Sequence, residues 1–140
     1  MIDHNKKIIF IHCQKCAGES IERALFGKIN NKNNDKYAGN KEKHFSANQY
    51  IKKYGKEIWN NYFTFSIVRN PWDRTISWIR YRDERYGRKE PITYEKICKE
   101  LKVPMIIKNS YHRALFGGKE KPLVDFIGRF ESLQKDFNYI

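Results

Sequence analysis

Lys15 sits in the loop Cys13-Gln14-Lys15-Cys16-Ala17-Gly18, between an apolar run and an amphipathic stretch. A lysine-bearing turn of this kind directs backbone N–H groups and a helix N-terminus at an anion, most often a phosphate, and Lys15 adds a mobile positive charge there. The Walker A loop requires GxxxxGK[ST], whereas this loop lacks the first glycine and places Lys15 three residues before Gly18. The chemistry to expect is therefore phosphate binding without a nucleotide triphosphatase signature. Cys13 and Cys16 form a CxxC, but no second Cys/His pair follows to complete a zinc site, and Ala17 stands where a haem attachment motif needs histidine. With Cys98 the cysteines number 3, an odd count that argues against a disulfide framework, and the pair reads as ordinary loop residues.

The elements that must position Lys15 follow from periodicity. Residues 7–12 form a short apolar run long enough for one buried strand. Residues 20–26 follow with Ile21, Ala24 and Leu25 at i, i+3, i+4 spacing, which predicts a helix closed by Gly27. A solvated, flexible loop is expected over 28–43, rich in Asn and Lys. Ser46 then suits the N-cap of a helix carrying Tyr50, Ile51 and Tyr54 and continuing past Gly55 to Trp59. Residues 62–68 predict a second strand. Asn70 as N-cap, Pro71 at the first helical position and Asp73 as a capping-box carboxylate open a helix to about Arg85, with Trp72, Ile76 and Ile79 on its buried stripe. Thr93 caps a further helix with Ile97 and Leu101 inward and Pro104 beyond its end; 105–117 suit a short helix ended by Gly117-Gly118. Residues 123–130 read as a third strand, and Ser132 caps a last helix carrying Leu133 and Phe137. Repeated strand-to-helix units imply an α/β fold with a P-loop-like parallel sheet flanked by helices, in a single domain over residues 1–140.

Composition bounds the partners. Lys and Arg outnumber Asp and Glu by 28 to 16, a formal charge of +12 that favours acidic partners such as nucleotides, sulfated polymers, nucleic acid or anionic membrane. Apolar residues make up 40% of the chain and aromatic ones 15%, enough for a folded core rather than a disordered chain. No stretch reads as a signal peptide or a transmembrane segment, which gives the expectation of a cytoplasmic protein.

Three stretches together resemble a family. His12 to Ile21 (HCQKCAGESI) looks like the 5′-phosphosulfate loop of the sulfotransferases, written PKTGGTS in their carbohydrate branch. Residues 65–81 (FSIVRNPWDRTISWIRY) resemble their 3′-phosphate segment, RNPxDRxxS, and residues 125–137 (DFIGRFESLQKDF) are similar to a third stretch leading from strand to helix. The resemblance spans residues 8 to 137 and implies a donor, 3′-phosphoadenosine 5′-phosphosulfate (PAPS), released as adenosine 3′,5′-bisphosphate, with no metal. The acceptor would be a hydroxyl or amine, of a glycan or small molecule. By the same resemblance, Lys15 neutralises charge on the leaving phosphate. Backbone N–H groups of Cys16, Ala17, Gly18, Glu19 and Ser20, with the Ser20 hydroxyl, would hold the 5′-phosphate, and Arg69 and Ser77 the 3′-phosphate. His44 falls where the carbohydrate branch places its catalytic base, with His12 next and Glu131 read instead as a structural partner of an arginine. Arg74 either joins the phosphate clamp or pairs with an acid, and Trp72 and Trp78 read as core or helix-face aromatics. Cys16, Ala17 and Glu19 depart from the usual Thr, Gly and Thr: Ala17 strains a position that needs positive φ, and Glu19 sets a negative charge beside the anion.

Two rival functions share parts of this pattern. A P-loop kinase-like, ATP-dependent phosphotransferase shares the strand–loop–helix logic but lacks GK[ST] and an obvious magnesium aspartate. A non-catalytic basic nucleic-acid or polyanion binder would exploit the +12 charge and the tyrosines Tyr81, Tyr86 and Tyr94, without specificity for a 3′-phosphorylated nucleotide.

Overall fold

The structure is a computed structural model that describes residues 1–27, 42–101 and 110–140. Its centre is a 4-stranded sheet in the order β1 (Ile2–Asp3), β2 (Ile8–Ile11), β3 (Phe63–Val68), β4 (Phe126–Arg129). β3 runs parallel to β2 and to β4, and β1 adds an antiparallel edge that the sequence pattern did not announce. Ile9, Phe10, Ile11, Phe65 and Ile67 are buried, which is why these strands read as unbroken apolar runs. The Phe10 and Phe65 rings stack at 5.0 Å between centroids.

Polar side chains set the register. Ser66 Oγ donates to the Ile11 carbonyl at 2.7 Å across β2–β3. Thr64 N and Oγ1 both donate to Asp125 Oδ2, at 2.8 and 2.7 Å, while Asp125 N donates to Thr64 O at 2.9 Å. The strand expected over 123–130 is thus cut to Phe126–Arg129, because a carboxylate takes the Thr64 N–H that a longer ladder needs.

The helices follow their caps where a side chain can reach the backbone. α1 (Gly18–Phe26) buries Ile21 and Glu22 rather than Ala24, which is exposed. α2 (Ala47–Tyr54) begins with Ser46 and Gln49 in a reciprocal capping box. It does not run on to Trp59: Gly55, at φ +90, breaks the path and α3 (Lys56–Asn61) starts afresh. α4 (Pro71–Arg85) has the expected Asn70 cap, whose side chain accepts from Trp72 N at 2.9 Å. The capping-box role given to Asp73 belongs to Glu131, whose Oε1 accepts the Asn70 N–H at 2.7 Å. The buried face of α4 is Thr75, Ile79 and Asp83; Trp72, expected inside, is 55% exposed. α5 (Tyr94–Leu101) is capped by Thr93, whose Oγ1 accepts from Lys96 N at 3.2 Å. It is tied to α4 by Arg82–Glu100 at 2.5 Å and Lys96–Asp83 at 2.8 Å.

The short helix expected before Gly117-Gly118 is a π-helical turn, His112–Phe116, ended by both glycines at positive φ. α6 (Leu133–Tyr139) closes the described chain. Ser132 precedes it without capping it, since its hydroxyl donates to Asp136 Oδ2 at 2.9 Å. Most of the loop expected over 28–43, and Pro104, lie outside the described residues. Among the described residues no helix is long and apolar enough to cross a membrane.

Ser46→Ala removes the acceptor for the Gln49 N–H and should lower the unfolding free energy by about 1 kcal/mol, read as a reduced urea midpoint at unchanged slope.

Candidate functional site

β2 ends at Ile11, and the chain turns into α1 over residues 12–17. The turn is tight enough to hold two non-glycine residues in the left-handed region, Lys15 at φ 62 and Ala17 at φ 60. Each costs about 1–2 kcal/mol relative to a right-handed conformation. α1 starts at Gly18, two residues before the start read from periodicity, and Ala17 O accepts the Ile21 N–H at 3.1 Å. The cysteines point inward. Cys16 Sγ lies 3.3 Å from Gln14 O and 3.3 Å from Tyr111 Oη. Both Cys13 and Cys16 are free, and burial pushes the Cys13 thiol up to about 12 and the Cys16 thiol in the same direction. They stay as thiols at neutral pH.

Gly18 is fixed by contact rather than by backbone angle. A Cβ there would lie 2.1 Å from His12 Nε2, so only hydrogen lets the imidazole lie against the start of α1. His12 Nδ1 donates to Glu22 Oε1 at 2.6 Å, one turn further along α1, where Glu22 is 2% exposed. Lys43 stands over the same pair, 3.9 Å from Glu22 Oε2 and 3.1 Å from Glu19 Oε1. The hydrogen bond and charge of Lys43 hold the Glu19 carboxyl below the usual range. The negative charge that Glu19 brings to the loop is thereby matched by a cation.

His44 packs edge-on against His12, with ring centroids 4.8 Å apart, and its Nδ1 donates to the His12 carbonyl at 3.3 Å. A carbonyl only accepts, so the proton is on Nδ1 and Nε2 keeps its lone pair. Partial burial of the ring, reinforced by His12 and then Lys43, holds the His44 pKa below the usual histidine value. His44 is therefore neutral at pH 7.

These elements border a cleft of about 590 Å³. Lys15, Ala17, Gly18, Glu19, Ser20, His44, Arg69 and Ser77 all lie on its walls; of the donor-binding and catalytic residues expected from the resemblance, Cys16 does not, its side chain being turned into the core. Lys15 Nζ sits 4.2 Å above the centre of the Tyr81 ring. Arg69 leaves the end of β3 with its guanidinium 4.1 Å over the Phe130 ring, and its Nη1 donates to Lys15 O at 3.5 Å. Arg74 turns elsewhere: its Nε donates to Gln14 O at 3.0 Å and its guanidinium lies 4.6 Å over Tyr111. Trp78 lines the cleft and Trp72 does not. Behind the loop, a second cleft of about 750 Å³ shares His12, Gln14 and His44 with the first.

Three residues of this site escaped the sequence reading, Glu22, Tyr111 and Phe130, and Tyr81 entered it only as a surface tyrosine of the polyanion-binding alternative. Tyr111 Oη donates to Arg69 O at 2.8 Å and accepts from Arg69 N at 3.0 Å, which clamps the end of β3. Its signal was hidden in a segment with no periodicity. Glu22 did carry a signal, a carboxylate beside Ile21 on the buried side of α1.

Compared with models of known families, the chain matches the one described as Sulfotransferase family over residues 1–140, and it belongs to that family. No curated protein and no solved structure matches it. The family match supports sulfotransfer as the class of reaction.

Adjacent substitutions in the loop should act with opposite signs. Ala17→Gly relieves the left-handed strain and, after the added freedom of the unfolded chain, should raise stability by up to about 1 kcal/mol. Gly18→Ala drives a methyl group into His12 and should lower it by about 1–3 kcal/mol. Denaturant titration of the two variants checks both.

Proposed function

We propose that this member of the sulfotransferase family transfers the sulfuryl group of PAPS to a hydroxyl or amine of a carbohydrate acceptor, with the first cleft as the donor site. The observation that carries the reading is the convergence, on one cleft, of the Lys15 ammonium, the start of α1, the Arg69 guanidinium and the Ser77 hydroxyl, with a neutral His44 at its edge. The residues fit such a donor. The cleft holds about 590 Å³, within the usual range for a small-molecule site, and among the described residues the one acid on its wall, Glu19, is paired with Lys43.

The donor supplies an activated sulfuryl group on a phosphate leaving group. Around it, backbone N–H groups of residues 16–20 and the Ser20 hydroxyl would hold the 5′-phosphate at the α1 N-terminus, where the helix dipole favours negative charge. Arg69 and Ser77 would hold the 3′-phosphate, Arg69 through charge-assisted bonds. Lys15 would neutralise the charge that grows on the bridging oxygen as the acceptor attacks. His44 would take the acceptor proton at Nε2, because its Nδ1–H is committed to the His12 carbonyl.

Thermal denaturation with adenosine 3′,5′-bisphosphate tests the donor site. At about 100 times its dissociation constant the ligand adds roughly 2.7 kcal/mol, a rise of about 5–10 °C for a domain of this size. ADP and ATP with magnesium should give much less, and Arg69→Ala should abolish the rise; equal stabilisation by ATP with magnesium would move the assignment to a phosphotransferase. Lys15→Ala should keep most of the bisphosphate stabilisation while transfer falls about 10²–10³-fold. His44→Gln should cost about 10²–10⁴-fold. In the wild type, kcat/KM should hold down to pH ~6.5 and fall only below it, since protonation of His44 sets in under the usual histidine pKa. A flat profile below that pH would remove His44 from the role of base.

A further inference from the structure

The first turn of α1 can take an anion from two directions. Gly18, Glu19 and Ser20 are its first three helical residues, and their N–H groups have no partner inside the helix. The N-cap residue, Ala17, has no side-chain acceptor to offer them. These groups and the positive end of the helix dipole attract negative charge, and a bound phosphate is one source of it. The chain holds another. Glu19 is the acid of this turn, at the second helical position, and a carboxylate there is stabilised by folding back towards the unpaired N–H groups. Its oxygens would then stand where a phosphate has to bind.

The Glu19 carboxylate turns to Lys43 instead, with Oε1 accepting from Nζ at 3.1 Å. The two ends of this pair are held very differently. Lys43 Nζ also lies 3.9 Å from Glu22 Oε2, and Glu22 is buried and bonded to His12. The next residue along the chain is fixed as well, since His44 Nδ1 donates to the His12 carbonyl. Lys43 therefore has a buried partner beneath it and an anchored neighbour beside it. The Glu19 side chain is 71% exposed, against 31% for Lys43, and Lys43 is the cation it meets. An ordinary surface ion pair is loose at both ends and contributes little. Here the lysine is the fixed post and the glutamate the movable arm. Glu19, Ser20 and Lys43 all face the first cleft.

We propose that Lys43 is a positioning residue for donor binding, which holds the Glu19 carboxylate away from the N–H groups at the start of α1 and so keeps them open to the donor's 5′-phosphate. The proposal rests on the first cleft being the donor site. Lys43 acts through Glu19 rather than by touching the donor, so its loss matters only while the carboxylate is present. A direct contact between Lys43 and the donor would be worth the same with or without Glu19. A double-mutant cycle separates the two, because Lys43→Ala and Glu19→Ala each delete one side chain of the pair.

The test is calorimetric titration of the whole chain with adenosine 3′,5′-bisphosphate at low ionic strength, where screening is least. Lys43→Ala should raise Kd about five- to tenfold. Lys43→Gln, which keeps the length of the side chain without its charge, should do the same, and Lys43→Arg should restore most of the affinity. Glu19→Ala removes the internal competitor and should tighten binding about twofold. In that background, adding Lys43→Ala should change Kd by less than about twofold. Lys99→Ala removes the same charge from an exposed position on α5, outside the cleft, and should leave Kd unaltered. A Lys43→Ala penalty of similar size with and without Glu19 would overturn the proposal in favour of a direct contact, and no penalty in either background would overturn it outright. Failure of the wild type to bind the bisphosphate would instead mark failure of the donor reading, and the role of Lys43 would fall with it.

Discussion

The hydrogen bond between His12 and Glu22 is the constraint on which the site depends. Both side chains are withdrawn from water, and a buried carboxylate without partners would be strongly destabilising. The pair can form only if the end of β2 and the first turn of α1 come together, and they come together only because residue 18 has no side chain. The intervening loop must then close over residues 13–17, and left-handed backbone at Lys15 and Ala17 is the result. His44 inherits its place from the same pair: its ring rests against His12, and its proton is located by the His12 carbonyl.

A second fixed point lies where β3 ends. The Tyr111 hydroxyl serves both the N–H and the carbonyl of Arg69 and meets Cys16 Sγ as well. A single phenol thus joins the Lys15 loop, the start of the RNP segment and the π-helical turn. Burial pushes its pKa well above the ordinary tyrosine value, so it remains a donor throughout the physiological range. Glu131 supports the same corner from the other side through the Asn70 N–H. Arg69 is held by its backbone, while its guanidinium stays on the cleft wall.

What the sequence made legible were features in which local chemistry and tertiary packing agree. Asn70-Pro71 and Ser46 mark helix starts because their side chains satisfy backbone groups a few residues away, and the apolar runs at 8–11 and 63–68 mark strands because both faces are covered. Errors arose where a distant group took over a local role. Asp73 lost the cap to Glu131 and β4 was shortened where Asp125 reaches Thr64, whereas Ser132 was drawn off by a near neighbour, Asp136. Trp72 fits a helical period, yet the inner face of α4 is set by the ion pairs with α5, which draw Asp83 inward. The loop residues were named from motif and resemblance; the role of Tyr111 and the pairing of Tyr81 with Lys15 were not, because contacts across 42 and 66 positions of chain leave no local pattern.

The resting place of Lys15 has a consequence of its own. Its ammonium lies on the face of an aromatic ring rather than against a carboxylate. A cation over an exposed ring is held by about 0.5–1 kcal/mol, enough to bias the side chain toward the cleft. A carboxylate in the same position would neutralise it and then have to be displaced by any arriving anion. Tyr81 works instead as a loose berth: the charge is kept near the mouth, undiminished, and on a mooring weak enough for a phosphate to slip.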